Sequence, residues 1–264
     1  MSLIFGALWQ YRHFVISSIG NEFYSRFARS KFGALWAMLN PLSQVAIYAL
    51  ILSNVLQAKM VGIDNKYSFA IYLTAGILCW SYFSEIVSRS LNVFISNGNL
   101  IKKAFFPKVV LPAILVGTCL VDNILLFFAI LIVLALLGHV PGLQVLWLPL
   151  LVLATTMLGV GIGLTLGILN VFVRDIAQVV PIILQIMFWF TPIVYPISII
   201  PEKFQWYLYL NPVYPLVRAY QDILVFEQSP DMLQMFLVFC SSFALLSLAA
   251  FLFSRASEEM ADIL

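Results

Sequence analysis

Apolar runs of about 20 residues or more recur six times along this 264-residue sequence, and nothing else constrains its fold as strongly. A helix of that length crosses a hydrocarbon core of roughly 30 Å. Lipid offers no hydrogen bonds, so each such segment must satisfy its backbone N–H and C=O groups internally. An ordinary soluble domain is excluded, because 62% of the residues are hydrophobic, 10% are charged and the mean hydropathy is +1.01. The expected fold is all-α and integral to the membrane. It is a single unit over residues 1–264, with spans at about 32–57, 68–95, 109–137, 145–172, 178–195 and 232–253.

An even number of spans puts both termini on one side. Ten cations then fall on the side of the termini: Arg12, Arg26, Arg29, Lys31, Arg89, Lys102, Lys103, Lys108, Arg174 and Arg255. Four fall on the other: Lys59, Lys66, Lys203 and Arg218. Lys and Arg are retained in the cytoplasm during insertion, so both termini are expected there. The net charge of +2 is too small to suggest nucleic acid. The start of the chain lacks the basic region and small-residue cleavage site of a removable signal peptide.

Before the first span, residues of about 2–31 read as an amphipathic helix. Ile16, Ile19, Phe23 and Phe27 recur at helical spacing, and Asn21, Glu22, Arg26 and Arg29 lie among the polar remainder. It either lies in the membrane interface or packs as a soluble helix on the rest of the protein. The loop Asn97 to Pro112 combines Lys102, Lys103 and Lys108 with Phe105 and Phe106. A stop signal explains the lysines, whereas the aromatic pair beside them suggests a partner surface. From Tyr195 to Asp231, five prolines forbid one continuous helix, and the interleaved Tyr and Trp prefer an interface. Short helices that dip into the outer leaflet and return are expected there, with a cap lying on the surface as the alternative.

Glu85 and Arg89 are four apart and can pair on one helix face. Asp122, inside the third span, has no partner nearby in sequence. Gly159, Gly161, Gly163 and Gly167 stud the fourth span and read as a close-packing face rather than a phosphate loop. In the turn NVFVRDI, Arg174 and Asp175 form either a local pair or cap, or a contact with a cytoplasmic partner. The cysteines lie within apolar stretches and the two histidines are far apart, so neither a disulfide framework nor a metal site is expected. No Walker loop, HExxH or triad pattern occurs, so the chain is expected to have no catalytic activity or cofactor of its own.

RFARSKFGALWAMLNPL (26–42) resembles the segment (R)YRxSxLGxLWxxLNPL of the ABC-2 type permeases that export polysaccharides. The basic, Phe-Pro-containing loop, the NVxxRD turn and LNPVYPLVRAYQDIL (210–224) resemble the same family, in order and over nearly the whole chain. Phe27-Ala28 replaces the family's Tyr-Arg, and Phe32 replaces a Leu. The resemblance implies an O-antigen-like export permease of the bacterial inner membrane. It would be a homodimer served by two copies of a separate cytoplasmic ATPase, with ATP and Mg in that partner. By the same resemblance, Arg26, Arg29, Ser30, Lys31, Phe32 and Gly33 would form a gate meeting the pyrophosphate of an undecaprenyl-linked glycan. Trp36, Tyr48, Phe188, Trp189 and Tyr195 would line the sugar path. Asn99, Lys102, Lys103, Phe105, Phe106 and Pro107 would receive the ATPase stroke. An ABC-2 permease for another substrate, a secondary carrier and an intramembrane transferase are the alternatives.

Overall fold

The computed structural model describes residues 6, 9–27, 35–56, 68–101 and 109–263, and among them every regular element is helical. The N-terminal helix α1 is Arg12–Phe27. Long helices follow: α2 (Leu35–Leu56) and α3 (Ser68–Ser96), then the short α4 (Gly98–Ile101) and α5 (Val110–Leu136). A 3-10 turn, Leu143–Trp147, runs into α6 (Leu148–Phe172), and α7 is Ile176–Phe190. Short elements end with α8 (Glu202–Gln205) and α9 (Tyr214–Leu224), and α10 (Met232–Ile263) closes the chain.

Four of these helical stretches, Ser68–Ser96, Val110–Leu136, Leu143–Phe172 and Met232–Ser257, are long and apolar enough to cross a membrane. α7 is shorter than expected. Its 15 residues rise about 22 Å and stop at Phe190 rather than at 195. The chain leaves the helix at Thr191, and Pro192 biases the residue before it away from helical backbone. Pro41 sits inside α2, where it removes one backbone donor, and Ser43 Oγ donates to the Asn40 carbonyl at 2.7 Å.

α3 is the hub, packing against α2, α5, α6, α7 and α9. Of its most apolar stretch 78% is buried, against 17% for α10, which borders the bundle. The glycines of α6 explain how α3 can be so enclosed. A Cβ at Gly163 would stand 2.5 Å from Ser90 Cβ, and one at Gly167 would collide with the Ser90 carbonyl oxygen. Gly161 faces the other way, onto Leu245 of α10. The expected close-packing face is therefore real, and it serves two neighbours at once.

The connection from 191 to 231 folds back onto this core. α9 buries Leu216, Val217, Tyr220, Ile223 and Leu224, while Trp206, Tyr207 and Tyr209 before it stay about half exposed. The irregular backbone after α7 is satisfied by side chains. Tyr72 Oη and Gln221 Nε2 both donate to the Pro192 carbonyl, at 2.9 and 3.1 Å. Asn211 Nδ2 donates to Thr191 Oγ1 at 2.7 Å.

Candidate functional site

Three helices bring their charges to one guanidinium. Arg89 Nη2 contacts Glu85 Oε1 at 3.0 Å, one turn earlier on α3. The same nitrogen donates to Asp122 Oδ2 of α5 at 3.2 Å, and Arg89 Nη1 to Glu22 Oε1 of α1 at 3.3 Å. Thr118 of α5 donates to the other oxygen of Glu22 at 3.2 Å. A guanidinium carries five N–H donors in a fixed fork, which lets one cation serve several carboxylates. The expected Glu85–Arg89 pair is present. Asp122 is not solitary: packing of α5 on α3 places it on Arg89, with 6% of its side chain exposed. Among the described residues this one guanidinium serves three carboxylates, in an apolar bundle where breaking a charged pair is costly.

Glu22 also fixes how α1 sits. Val15, Ser18, Ile19, Glu22 and Phe23, at helical spacing, are partly buried, as is Gly20. Ile19 meets α5 at Gly117, where an added Cβ would clash with it. Ile16, expected on the apolar face, is instead 66% exposed, because Glu22 turns the face bearing Ile19 toward the bundle. The helix thus packs on the protein while leaving Phe14, Ile16 and Tyr24 exposed.

A cleft of about 490 Å³ opens beside the cluster. Trp36, Asn40 and Gln44 of α2 form one wall, Trp80, Ser84 and Glu85 of α3 the second, and Asp122 and Asn123 of α5 the third. Asn123 is 6% exposed, and its Nδ2 has no acceptor among the described residues. Such a polar recess between apolar helices is satisfied by water or by a polar ligand. Trp80 connects it to α7: its ring lies 5.6 Å from that of Phe188, which meets Trp189 edge-on at 5.6 Å.

Of the expected sugar-path residues, Trp36 stands half exposed on the cleft wall, and Phe188 and Trp189 adjoin it through Trp80. Tyr195 lies beyond the end of α7, its hydroxyl donating to the Trp189 carbonyl at 2.8 Å. Tyr48 is within α2, and Arg26 within α1. The rest of the gate, Arg29, Ser30, Lys31, Phe32 and Gly33, lies outside the described residues. So do Lys102, Lys103, Phe105, Phe106 and Pro107, whereas Asn99 is exposed on α4. Glu22 and Thr118 carry no sequence signal that singles them out. The only hint for Trp80 is its place five residues before Glu85 in an apolar run.

The NVFVRDI turn divides its tasks. Asn170 is fully buried, donates to the Leu91 carbonyl at 3.0 Å and accepts from the Ala177 N–H at 3.2 Å, clamping α6, α3 and α7 together. Arg174 and Asp175 are exposed, and Asp175 makes no side-chain cap on α7.

The comparisons with known proteins agree with this architecture. Residues 15–225 match the family described as ABC-2 type transporter. The chain is 30% identical over 257 residues to the O-antigen export system permease protein RfbA of Myxococcus xanthus, covering 97% of this chain and 96% of that one. It is 30% identical over 202 residues to the protein of the same name from Klebsiella pneumoniae, covering 75% and 74%. Against the polysialic acid transport protein KpsM of Escherichia coli it is 26% identical over 211 residues, covering 76% and 77%. The match begins within α1 and covers Glu22, Arg89, Asp122 and the cleft beside them, and the chain belongs to the ABC-2 type transporter family.

Proposed function

We propose that this chain is the transmembrane permease of an ATP-driven exporter. It would move an undecaprenyl-pyrophosphate-linked, O-antigen-like polysaccharide from the cytoplasmic to the outer face of a bacterial inner membrane. The observation that carries this reading is its 30% identity to an O-antigen export permease over 97% of its length. In this reading α2 and α7 join the four long helical stretches as spans, both termini are cytoplasmic, and the 191–231 segment dips into the outer leaflet. Two copies would assemble with two copies of a separate ATPase. The residues Ile182, Ile183, Ile186 and Phe190, exposed on α7, suit a surface covered by a second copy or by lipid.

The chemistry of the cleft supports a sugar ligand. Trp36 offers a flat apolar face for sugar C–H groups, and the amides and carboxylates beside it match hydroxyls. Such contacts do not demand one register, which suits a long sliding chain. The exposed Arg174 and Asp175, with the Asn97–Lys108 loop, would meet the ATPase. The test is deletion of the chain in its host: lipid-linked glycan should accumulate inside the cell, and normal surface glycan would overturn the reading. A capsule or teichoic-acid permease would block a different surface polymer, so the same strain decides the substrate.

A further inference from the structure

A second polar pocket lies at the opposite end of α10 from the C-terminus. It measures about 310 Å³ and is framed by Gln205 and Tyr209 from the short elements, Arg218 and Asp222 from α9, and Asp231 and Gln234 at the start of α10. We propose that this pocket is an exit subsite that holds one sugar residue of the translocated glycan. The proposal rests on the export reading above.

The aromatic wall is fixed in place. Tyr209 is 55% exposed and meets the buried Tyr214 ring edge-on, with centroids 5.3 Å apart. One ring is therefore anchored in the core and holds the other at the pocket's edge, where a sugar's C–H face can lie against it. The polar wall alternates donors and acceptors. Arg218 Nε donates to Asp222 Oδ1 at 3.1 Å, and this leaves the second carboxylate oxygen and further guanidinium N–H groups for a pair of hydroxyls. Gln205 Nε2 is engaged with the Ile200 carbonyl at 2.9 Å and Gln234 Nε2 with Asp231 at 3.1 Å, leaving both amide oxygens as acceptors.

This lining rejects simple ions. An anion would meet Asp222 and Asp231, and a cation would meet Arg218. Burial raises the Asp222 carboxyl above its ordinary pKa against the pull of the Arg218 guanidinium beside it. A neutral polyol uses donors and acceptors together. The volume lies at the small end of ligand pockets, about 300–1,000 Å³, which fits a single sugar residue better than a lipid chain. Trp206 and Tyr207, half exposed next to this pocket in sequence with ring centroids 3.9 Å apart and planes tilted by 31°, extend the aromatic surface outward.

The experiment uses the permease–ATPase complex from the host in lipid nanodiscs. The probe is the host's own surface polysaccharide, released from its lipid by mild acid, and binding is read by saturation-transfer NMR. Wild-type complex should bind, and Tyr209→Ala and Gln234→Ala should each weaken binding about tenfold, the equivalent of about 1.4 kcal/mol. Phe236→Ala, an exposed apolar change two residues beyond Gln234 and on another face of α10, should leave it unchanged. Because Tyr209 and Gln234 lie at the surface, a variant that fails to fold is revealed by loss of basal ATPase activity, and the other variant then decides. Wild-type affinity in both folded variants, or no binding by the wild type, would overturn the subsite. Neither result touches the export reading, which stands or falls on the deletion strain.

Discussion

The two flanks of α3 are held by opposite means. Toward α6, contact is made by glycines against Val87 and Ser90, with no charge at the seam. Toward α1 and α5, contact is made by Arg89 and three carboxylates, beside a cleft large enough for ligand. A glycine seam tolerates no added volume and has one good register. An ionic cluster tolerates displacement, because a guanidinium can exchange one carboxylate for another at small geometric cost. The difference makes the flank facing α6 the more rigid of the two. A push on α1 would reach α3 and α5 through Glu22, while α3 kept its place on α6.

The largest expected effect tests the scaffold. Gly167→Leu would drive a side chain into the Ser90 carbonyl, a backbone atom that cannot step aside. The cost should be about 3 kcal/mol or more. Thermal unfolding of the purified protein should show a large drop, or no monodisperse protein should be recovered. A near-normal melting temperature would mean that the seam is loose and would erase the contrast.

Next comes the cluster. Arg89→Gln takes from Glu22, Glu85 and Asp122 the guanidinium they share. Breaking a buried pair by removing one partner costs about 3–5 kcal/mol, and the partial exposure of Glu22 and Glu85 brings the expectation to about 2–3. Combining it with Asp122→Asn and Glu85→Gln should restore part of that loss, because it removes two of the negative charges that faced Arg89. Equal instability of the single and triple variants would show that Arg89 acts by shape rather than by charge. Asn170→Ala should cost somewhat less, about 2 kcal/mol, since it abandons the Leu91 carbonyl and the Ala177 N–H. Unfolding that matches the wild type would remove Asn170 as the clamp between α3 and α7.

The two flanks also differ in how far the sequence discloses them. The glycines of α6 announce a packing face because small residues in an apolar run have few other uses. What they pack on is settled only by the folded bundle, where Gly163 and Gly167 meet α3 and Gly161 meets α10. Glu85 and Arg89 are visible as a pair because helical spacing alone makes them neighbours. Asp122 and Glu22 are not visible, since they stand 33 and 67 residues from Arg89 and reach it only through tertiary packing. The end of α7 is a different kind of error. The apolar run continues past Phe190, but Pro192 ends the helix, and hydropathy does not register that local constraint.

The smallest expected effect on stability is the sharpest test of motion. Glu22→Gln keeps the size and the oxygen that faces Arg89, and the side chain is 43% exposed, so the ion pair contributes less than about 1 kcal/mol. Arg89 retains Glu85 and Asp122, and Thr118 retains the Ile114 carbonyl at 2.9 Å. The unfolding curve should therefore hardly move. If α1 transmits the ATPase stroke through this contact, glycan export should fall several-fold at unchanged permease abundance, while ATP hydrolysis by the assembled complex continues. A variant that exports normally would reduce Glu22 to an anchor for α1, and both flanks of α3 would then be scaffold. A variant that loses export and ATP hydrolysis together would place the defect in assembly with the ATPase, ahead of any movement of α3.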